Sequence, residues 1–274
     1  RLAGIELQFY PNYQETITAY KNGDIQGIGF VPSQVISNVQ DIESLNLYTA
    51  RLSGYNIIYL NLKSPETAPF FQDVNVRKAL LHALNKQAII DNALNGQALP
   101  ANGPILPWSW AYNPEQNYPE FDLSQAEILL DESGWTDTDN DGIRDKDGIP
   151  LAFNLLSSET PENIQIAETV SEQWQQIGID ATVEAVGAGF GERLATHNYQ
   201  AALAEILLAG DPDPYPFWHQ TQIEGGQNYA GWDNDEASKL LEAARTISDK
   251  GRRNDYYFEF QRIFAEESPS LILF

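Results

Sequence analysis

The densest set of candidate metal ligands lies in an acidic loop that runs from 137 to 148. Asp137, Asp139 and Asp141 occupy its first, third and fifth positions, and Gly142 and Asp145 occupy the sixth and ninth. This spacing of carboxylates, with a glycine at the sharp turn, is typical of a calcium loop of the EF-hand kind. The twelfth position, where a bidentate glutamate would complete the cage, is a glycine. Calcium is therefore a candidate ligand, and the alternative is an acidic hairpin whose aspartates bind their own backbone amides.

A second stretch with candidate binding residues runs from Tyr199 to His219, where an apolar segment meets a turn of alternating aspartate and proline. Open α/β sheets usually hold ligands at the rim where their strands end. We predict Asp211 and Asp213 to be polar ligand contacts or loop organisers, and Trp218 to be a stacking wall. The alternative is a buried strand followed by a proline-rich turn.

Other titratable residues give no catalytic pattern. Glu205 interrupts the apolar segment, and as a buried carboxylate it would need a cationic ligand group or a basic residue of the fold. The three histidines, His82, His197 and His219, lie on separate elements without ligand spacing, so we expect packing or surface roles. Nucleophile-elbow, Walker and zinc-protease motifs are absent from the sequence, and the glycines from 187 to 191 lack the dinucleotide-binding spacing. None of these patterns indicates a particular catalytic chemistry.

The charge of the chain excludes one class of partner. Its 39 acidic and 16 basic residues give a formal net charge of −23, which repels phosphate backbones, so nucleic-acid binding is not expected. An apolar content of 42% in 274 residues is that of a globular protein, and no apolar run has the length of a membrane span. The absence of cysteine excludes disulfides, thiolate catalysis and cysteine-ligated metals. Because the chain opens without a methionine or a signal-like segment, we expect a piece of a longer protein.

The hydrophobic periodicity predicts an α/β protein. A change of composition over 63–69 predicts a crossing between domains. We expect Ser124 to cap the helix that follows it. Strands are predicted over 4–10, 25–30, 45–49, 55–62, 151–156, 179–186, 201–208 and 268–274, and helices over 14–21, 33–39, 74–84, 87–94, 124–134, 162–176, near 193, 235–247 and 252–267.

A long loop from 95 to 122 contains five prolines together with Trp108, Trp110 and Tyr112. Structureless loops of this length are uncommon in compact domains unless they have a function. We predict a ligand wall in which Trp108 and Trp110 are stacking surfaces. The alternative is a surface Ω-loop that packs on its own aromatic residues.

Six segments, in order along nearly the whole chain, carry a family resemblance. They are SGYNIIYLNLK (53–63), DVNVRKALLHALNKQAIIDNALNGQA (73–98), PANGPILP (100–107), AEILLDESGWTDTDNDGIRDKDGIPL (126–151), DPDPYPFWH (211–219) and NYAGWDNDEASKLLEAAR (228–245). Together they resemble the family 5 extracellular solute-binding proteins of ABC importers, the dipeptide- and oligopeptide-binding group.

The resemblance implies a fold. It is the periplasmic-binding-protein type II fold, in which two α/β lobes joined by hinge strands close on a ligand. Residues 1–64 would be the end of lobe one, 65–267 lobe two, and 268–274 the strand that returns to lobe one. The chain is then expected to be a C-terminal fragment, with part of lobe one and most of lobe two. Many relatives carry an acidic hairpin at the position of the acidic loop.

The resemblance also implies where a ligand binds. In peptide-binding members, an aspartate three residues before the Asp-Pro pair contacts the amino terminus of the peptide. Here that position is Gly210, the carboxylate comes one place later at Asp211, and the aromatic residue usual near the strand end is Leu207. Four further residues are predicted ligand contacts, at the rim or on the strand that approaches the hinge: Asn228, Tyr229, Tyr55 and Asn61.

The function implied by the resemblance is that of an extracytoplasmic solute-binding protein that is not an enzyme, periplasmic or a cell-surface lipoprotein. It would bind short peptides between its lobes and deliver them to ABC permease subunits, with membrane contact only through a lipid anchor outside this chain. Its six tryptophans and the displaced aspartate leave an oligosaccharide ligand open, because flat aromatic faces stack on sugar rings. A secreted hydrolase with paired carboxylates is a further alternative. No cofactor is required.

Overall fold

The computed structural model describes residues 3–50 and 52–274, and the chain forms two compact units, Arg1–Arg51 and Leu52–Phe274. The first unit contains the helix α1 (Tyr13–Asn22), a 3-10 turn (Ser33–Val35) and the short helix α2 (Ile36–Gln40). The strands predicted over 4–10, 25–30 and 45–49 are wrong. These segments find no hydrogen-bonded partner strand among the described residues, and a strand without a partner leaves its backbone groups unpaired.

The second unit is an α/β domain with one large sheet and one small hairpin. Its strands are β1 (Gly54–Leu60), β2 (Asp145–Lys146), β3 (Ile149–Pro150), β4 (Ala152–Ser158), β5 (Asp180–Val186), β6 (Ala201–Leu207) and β7 (Ser270–Ile272). Its helices are α3 (Ala68–Phe71), α4 (Val74–His82), α5 (Lys86–Leu94), α6 (Leu123–Glu132), α7 (Pro161–Gln175), α8 (Phe190–Ala195), α9 (Tyr215–Trp218), α10 (Asp235–Thr246) and α11 (Lys250–Glu267), with a 3-10 turn at Gln220–Gln222.

The large sheet is mixed, with the strand order β5-β4-β6-β1-β7. Strand β4 runs parallel to both β5 and β6, whereas β1 runs antiparallel to β6 and β7. Strand β6 pairs with β1 along its whole length but with β4 only at Ala201 and Ala202. The last residues of β6 and the first residues of β1 therefore extend past β4 as a two-stranded ribbon.

Two hydrophobic clusters cover the two faces of this sheet, as expected for a layered α/β domain. The first cluster joins α4 to α7 to one face and includes Leu203 of β6. The second cluster joins α9, α10, α11 and parts of the 95–122 loop to the other face, and it includes Ala202, Ala204 and Ile206. The alternation along β6 follows from the two-residue repeat of a strand.

Polar caps set the starts of the helices. The helix predicted to begin at Ser124 begins instead at Leu123, because the Asp122 carboxylate accepts a hydrogen bond of 3.0 Å from the Gln125 amide. Capping of this kind satisfies an amide that the first turn leaves without a partner. The same contact is made at the N-caps Asp73, Asn85, Thr160, Asn234 and Asp249.

The loop from 95 to 122 is tied to the domain by its first residues. The Ala101 amide donates to the Leu273 carbonyl at 3.0 Å, and the Lys86 ammonium donates to the Ala101 carbonyl at 2.8 Å. Burial lowers the pKa of Lys86 from 10.5 to about 7. Ala101, Ile105 and Ala111 are buried in the second cluster, so this loop packs on the domain core.

Strands β1 and β7 lie side by side, with Ile57 opposite Ile272. Both belong to the compact unit Leu52–Phe274. The division into lobes at 64 and 268 stays a prediction. Across the described ranges, every helix is either too short or too polar to cross a bilayer.

Candidate functional site

The candidate site lies at the carboxyl end of β6, where the chain leaves the sheet. The Leu208 amide donates to the Ser53 carbonyl at 2.7 Å, so this end lies beside the start of β1. A side chain on Gly54 would place its Cβ 2.6 Å from the Ile206 carbonyl oxygen, which explains a glycine at this close approach. The loop 208–214 and helix α9 follow at this edge, where α/β sheets commonly bind ligands.

Asp211 is held by an arginine of α11. The Arg253 guanidinium donates to both carboxylate oxygens, with Nη1 3.1 Å from Oδ1, and Nη2 also donates to the Tyr257 hydroxyl at 2.9 Å. Its Cζ lies 5.3 Å from the centre of the Trp110 ring and 5.4 Å from that of Tyr257. Hydrogen bonding to Asp211 raises the pKa of Arg253. Asp211 therefore joins the loop after β6 to α11 through this arginine.

Asp213 is held in a similar way by α10. Arg245 donates to Oδ2 of Asp213 from Nε at 2.9 Å and from Nη2 at 2.6 Å, while Oδ1 accepts the Tyr215 amide at 3.2 Å. The Arg245 guanidinium stacks 3.7 Å above the Tyr215 ring, and the other ring neighbour of Tyr215 is His219 at 4.1 Å. The predicted role of loop organiser therefore fits both aspartates.

The three predicted stacking tryptophans differ in exposure. Trp108 is 44% exposed, and Trp110 is half-buried between Tyr257 and the ammonium of Lys250, which lies 5.4 Å from its ring centre. Trp218 is only 1% exposed, because it packs 4.8 Å from Phe264 inside the second cluster. The position of Trp218 does not support the predicted stacking wall.

Asn61 and Asn228 lie in the interior rather than at the rim. The Asn61 amide donates to the carbonyls of His197 and Tyr199, and its oxygen accepts backbone amides of the following turn. Asn228 donates to the Trp232 carbonyl at 2.8 Å and accepts the Trp232 amide at 3.1 Å. Both amides are used within the fold, so their positions do not support the predicted ligand contacts.

The two predicted tyrosines, Tyr55 and Tyr229, pack in or against the second cluster. Tyr55 is buried, which raises the pKa of its phenol, and the neighbouring Trp218 indole partly offsets that shift. Among the residues that the structure describes, the Tyr55 hydroxyl and the Trp218 N–H each find no hydrogen-bond partner of ordinary geometry. Tyr229 is half-buried, and its ring lies edge-on to Tyr59 with 5.6 Å between the ring centres. Of the two, Tyr229 is nearer to solvent.

The prediction that Glu205 is a buried carboxylate is wrong, because its side chain is exposed. The reason is the ribbon geometry, since β4 has ended where Glu205 projects from β6. Its side chain makes no hydrogen bond or ion pair with any residue that the structure describes. Leu207, on the same face of β6, is 67% exposed.

The acidic loop brings carboxylate oxygens of Asp137, Asp139 and Asp145 within 4.8 Å of one another. Hydrogen bonds from the Thr138 amide and hydroxyl lower the pKa of Asp145. Asp141 turns away to accept the amide of residue 143 at 2.8 Å. Three carboxylates fit a hard cation, but they are also satisfied by their own turn. Calcium binding stays a prediction.

Sequence reasoning missed the partners of the two loop aspartates. Arg245 and Arg253 follow Asp213 and Asp211 by 32 and 42 residues, so no local spacing connects them. One available signal was the concentration of basic residues from Arg245 to Arg253 in a strongly acidic chain. Tyr215 and Tyr257 then supply the flat faces beneath the two guanidinium groups.

Comparison with known proteins identifies the family of this chain. Residues 1–229 match the family model of bacterial extracellular solute-binding proteins, family 5 Middle. The chain belongs to family 5 of the bacterial extracellular solute-binding proteins. The oligopeptide-binding protein AppA of Bacillus subtilis is 31% identical over 98% of this chain and 50% of its own length. The dipeptide-binding protein of Escherichia coli is 26% identical over 88% of this chain and 44% of its own length.

Similarity to solved structures confirms the fold class. AppA of Bacillus subtilis, solved in complex with a nonapeptide, superposes with a TM-score of 0.85 at 30% identity, over 96% of this chain and 53% of that one. NikZ of Campylobacter jejuni shows the same fold with a TM-score of 0.83 at 24% identity. The predicted α/β fold of the periplasmic-binding-protein type is therefore correct. This family 5 chain spans about half the length of the curated relatives it matches.

Proposed function

We propose that this family 5 chain is part of an extracytoplasmic solute-binding component of an ABC importer, which binds short peptides and delivers them to the permease. The observation that carries this proposal is the extensive match to peptide-binding relatives, which covers 98% of the chain for the oligopeptide-binding protein AppA. A solved relative that covers 96% of the chain holds a nonapeptide. The proposed partners are a peptide and the permease subunits, with a lipid anchor outside this chain.

The rim of the second unit supports a binding role. The loop after β6 is held by two arginine–aspartate contacts, and the half-buried rings of Trp110 and Tyr215 lie against the two arginines. A site on rigid supports loses little entropy on binding, and half-buried rings offer apolar contact without collapse of the site. The rim is therefore suited to holding a ligand that is itself partly apolar.

The proposed mechanism is a shift between open and closed forms of a two-lobed protein. Ligand that contacts both lobes stabilises the closed form by its difference in affinity for the two forms. No covalent chemistry is required, and we propose that the protein is not an enzyme. Peptides should therefore leave the protein unchanged.

An oligosaccharide is the second candidate ligand, because Trp108 presents 44% of its surface to solvent and an exposed indole face stacks well on a sugar ring. A secreted hydrolase is the third alternative. Both are outcomes of the test below.

The test is a melting-shift screen on the longest natural polypeptide that contains this chain. A random tetrapeptide library, a maltooligosaccharide mixture and buffer alone are compared, and retained peptides are analysed by mass spectrometry. We expect the peptides to raise the melting temperature by about 5 °C at a large excess over Kd, and to be recovered intact. Stabilisation by the sugars alone would assign the second candidate, and cleaved peptides would assign a hydrolase.

A further inference from the structure

Three asparagines of the chain are followed directly by glycine, namely Asn22, Asn95 and Asn102. An Asn-Gly pair is prone to spontaneous deamidation, because glycine has no side chain to hinder attack of its backbone nitrogen on the asparagine side chain. The structure places the three pairs in different surroundings. We propose that Asn102 is the modification site among them, and that its deamidation gives Lys86 a carboxylate partner.

The first difference between the pairs lies in the glycine amide, whose nitrogen is the attacking atom. The Gly23 amide donates to the Tyr20 carbonyl at 3.0 Å, and the Gly96 amide donates to the Ile90 carbonyl at 3.2 Å. The Gly103 amide finds no acceptor among the residues that the structure describes. An amide that is already bonded must first give up its acceptor, which costs free energy. Of the three, Gly103 is the glycine that can react without this cost.

The second feature of this site is a cation beside the side chain of Asn102. The Lys86 ammonium donates to the Asn102 side-chain oxygen at 2.9 Å and to the Ala101 carbonyl at 2.8 Å. A hydrogen bond from a cation withdraws electrons from the amide carbon, and it stabilises the negative oxygen that forms when a nucleophile attacks that carbon. Lys86 therefore favours attack on the Asn102 side chain.

The packing of the loop requires the glycine of this pair. A side chain at position 103 would place its Cβ 2.1 Å from the Tyr118 hydroxyl oxygen, so glycine is the residue that fits there. Asn102 itself is exposed and lies outside the helices and strands, where water reaches it. The close approach of the loop to Tyr118 thus retains a reactive pair at an accessible position.

The proposed reaction needs water as its only co-reactant. The Gly103 backbone nitrogen attacks Cγ of Asn102 and loses its proton, the new N–Cγ bond closes a succinimide ring, and the Cγ–Nδ2 bond breaks with release of ammonia. Water then opens the ring at one of its two carbonyl carbons. Both products, aspartate and isoaspartate, carry a carboxylate in place of the neutral amide. Water is consumed, ammonia is released, and no atom changes its oxidation state.

The new carboxylate would change the surroundings of Lys86. Among the described residues Lys86 has neutral oxygen acceptors and no ion-pair partner, and its burial lowers its pKa to about 7. A negative charge within hydrogen-bonding distance favours the ammonium form and raises this pKa again. An ion pair would then join α5 to the loop from 95 to 122. Deamidation of Asn102 is therefore expected to tighten the attachment of this loop.

The first measurement follows the wild type and needs no variant. The longest natural polypeptide that contains this chain is incubated in mildly alkaline buffer, both folded and in guanidinium chloride, and is digested at intervals. Tandem mass spectrometry gives the deamidated fraction of Asn22, Asn95 and Asn102. In the folded protein we expect Asn102 to convert about tenfold faster than the other two. In guanidinium chloride the three should convert at similar rates, because the hydrogen bonds of the glycine amides are lost.

The second measurement tests the pairing with Lys86. Asn102→Asp introduces the carboxylate directly, and Asn117→Asp is the matched control at an exposed position of the same loop. Each is made in the wild type and in Lys86→Met. Asn102→Asp should raise the melting temperature by about 3 °C in the wild type and give no gain in Lys86→Met. Asn117→Asp should give no gain in either protein.

Three results would overturn the inference. The first is conversion of Asn102 in the folded protein that is absent or no faster than that of Asn22 and Asn95. The second is a gain from Asn102→Asp that is absent, or that persists in Lys86→Met. The third is loss of ammonia with Lys86 joined covalently to Asn102, which would identify the lysine amine rather than the Gly103 nitrogen as the nucleophile.

Discussion

At the scale of single residues, Asn228 joins two turns that support α9 and α10. It donates to the carbonyls of His219 and Trp232 and accepts the Trp232 amide. Replacement by alanine should lower the free energy of unfolding by about 3 kcal/mol, because buried backbone groups lose their partners. Urea unfolding followed by tryptophan fluorescence measures this change. The control Asn117→Ala, at an exposed position, should change it by no more than about 0.5 kcal/mol.

Lys86 is the residue for which the structure predicts a pH-dependent stability. Burial lowers its pKa from 10.5 to about 7. Between these values the folded protein binds fewer protons than the unfolded chain, so stability rises with pH over this window, and the cost of the charge is fully present below pH 7. We therefore expect the stability of wild type relative to Lys86→Met to increase as the pH rises from 7 towards 10.

Urea titrations of both proteins at several pH values measure this difference, in which the titration of other groups cancels. The same substitution at Lys78, on α4, is the matched control for the loss of a lysine from a helix. A difference for Lys86→Met that does not change with pH would show that the Lys86 ammonium is not destabilised in the folded protein.

Single-residue roles were the part of the site least accessible to sequence. An asparagine that is buried, such as Asn228, cannot be distinguished by sequence from an asparagine at the rim. Only the fold shows which of the two positions it occupies. Asp211 could be recognised as a loop residue, but its contact with Arg253 joins positions 42 residues apart. Glu205 was recognised as unusual, while its exposure depends on how far β4 extends beside β6.

At the scale of elements, substitutions in the acidic hairpin can show whether its turn depends on a bound metal ion. Asp145 accepts the amide and the hydroxyl of Thr138, and Asp137 accepts the amide of Gly142. Asp145→Ala should therefore lower the melting temperature slightly and equally in EDTA and in Ca²⁺. Asp139→Asn keeps an acceptor oxygen and is the control, which should be neutral in both buffers.

Calorimetric titration with Ca²⁺ completes this test. A saturable heat that disappears in Asp139→Asn, together with a larger effect of Asp145→Ala in Ca²⁺ than in EDTA, would assign a calcium site to the loop. Equal effects in the two buffers and no heat would leave the hairpin as a turn held by its own hydrogen bonds.

Most elements of the second unit were predictable, because each has its own local signal. Helices α4, α5, α7, α10 and α11 have an apolar face and a polar cap, and β4, β5 and β6 are short apolar runs between breaks. The segments 4–10, 25–30 and 45–49 have the same alternation but form no strand. Alternation shows which face of a strand would be buried, whereas pairing requires a distant partner that local sequence does not reveal.

At the scale of the whole molecule, the two compact units should differ in resistance to proteolysis. The second unit contains both hydrophobic clusters. It also contains every strand of the two described sheets. The first unit has short helices and exposes Leu7 and Phe9 at 75% and 91%. Limited digestion with thermolysin should remove the first unit and leave a resistant fragment that begins close to Leu52.

Mass spectrometry of the digest identifies the boundary. Equal rates of loss of both units would contradict this prediction, and so would first cleavage within the loop from 95 to 122. That loop is long, but Ala101 and Ile105 bury it against the second cluster, so its length alone should not make it susceptible.

The neighbouring strands β1 and β7 have one further consequence. The Asn56 amide donates to the Phe274 carbonyl at 2.8 Å, so the point where the chain enters the second unit lies beside the last residue of the sequence. A segment whose two boundary points lie side by side can be exchanged between related proteins without rerouting the rest of the chain. The second unit could therefore be transferred between related proteins as one segment. The loop after β6 would then be transferred together with Arg245 and Arg253, the two arginines that hold it.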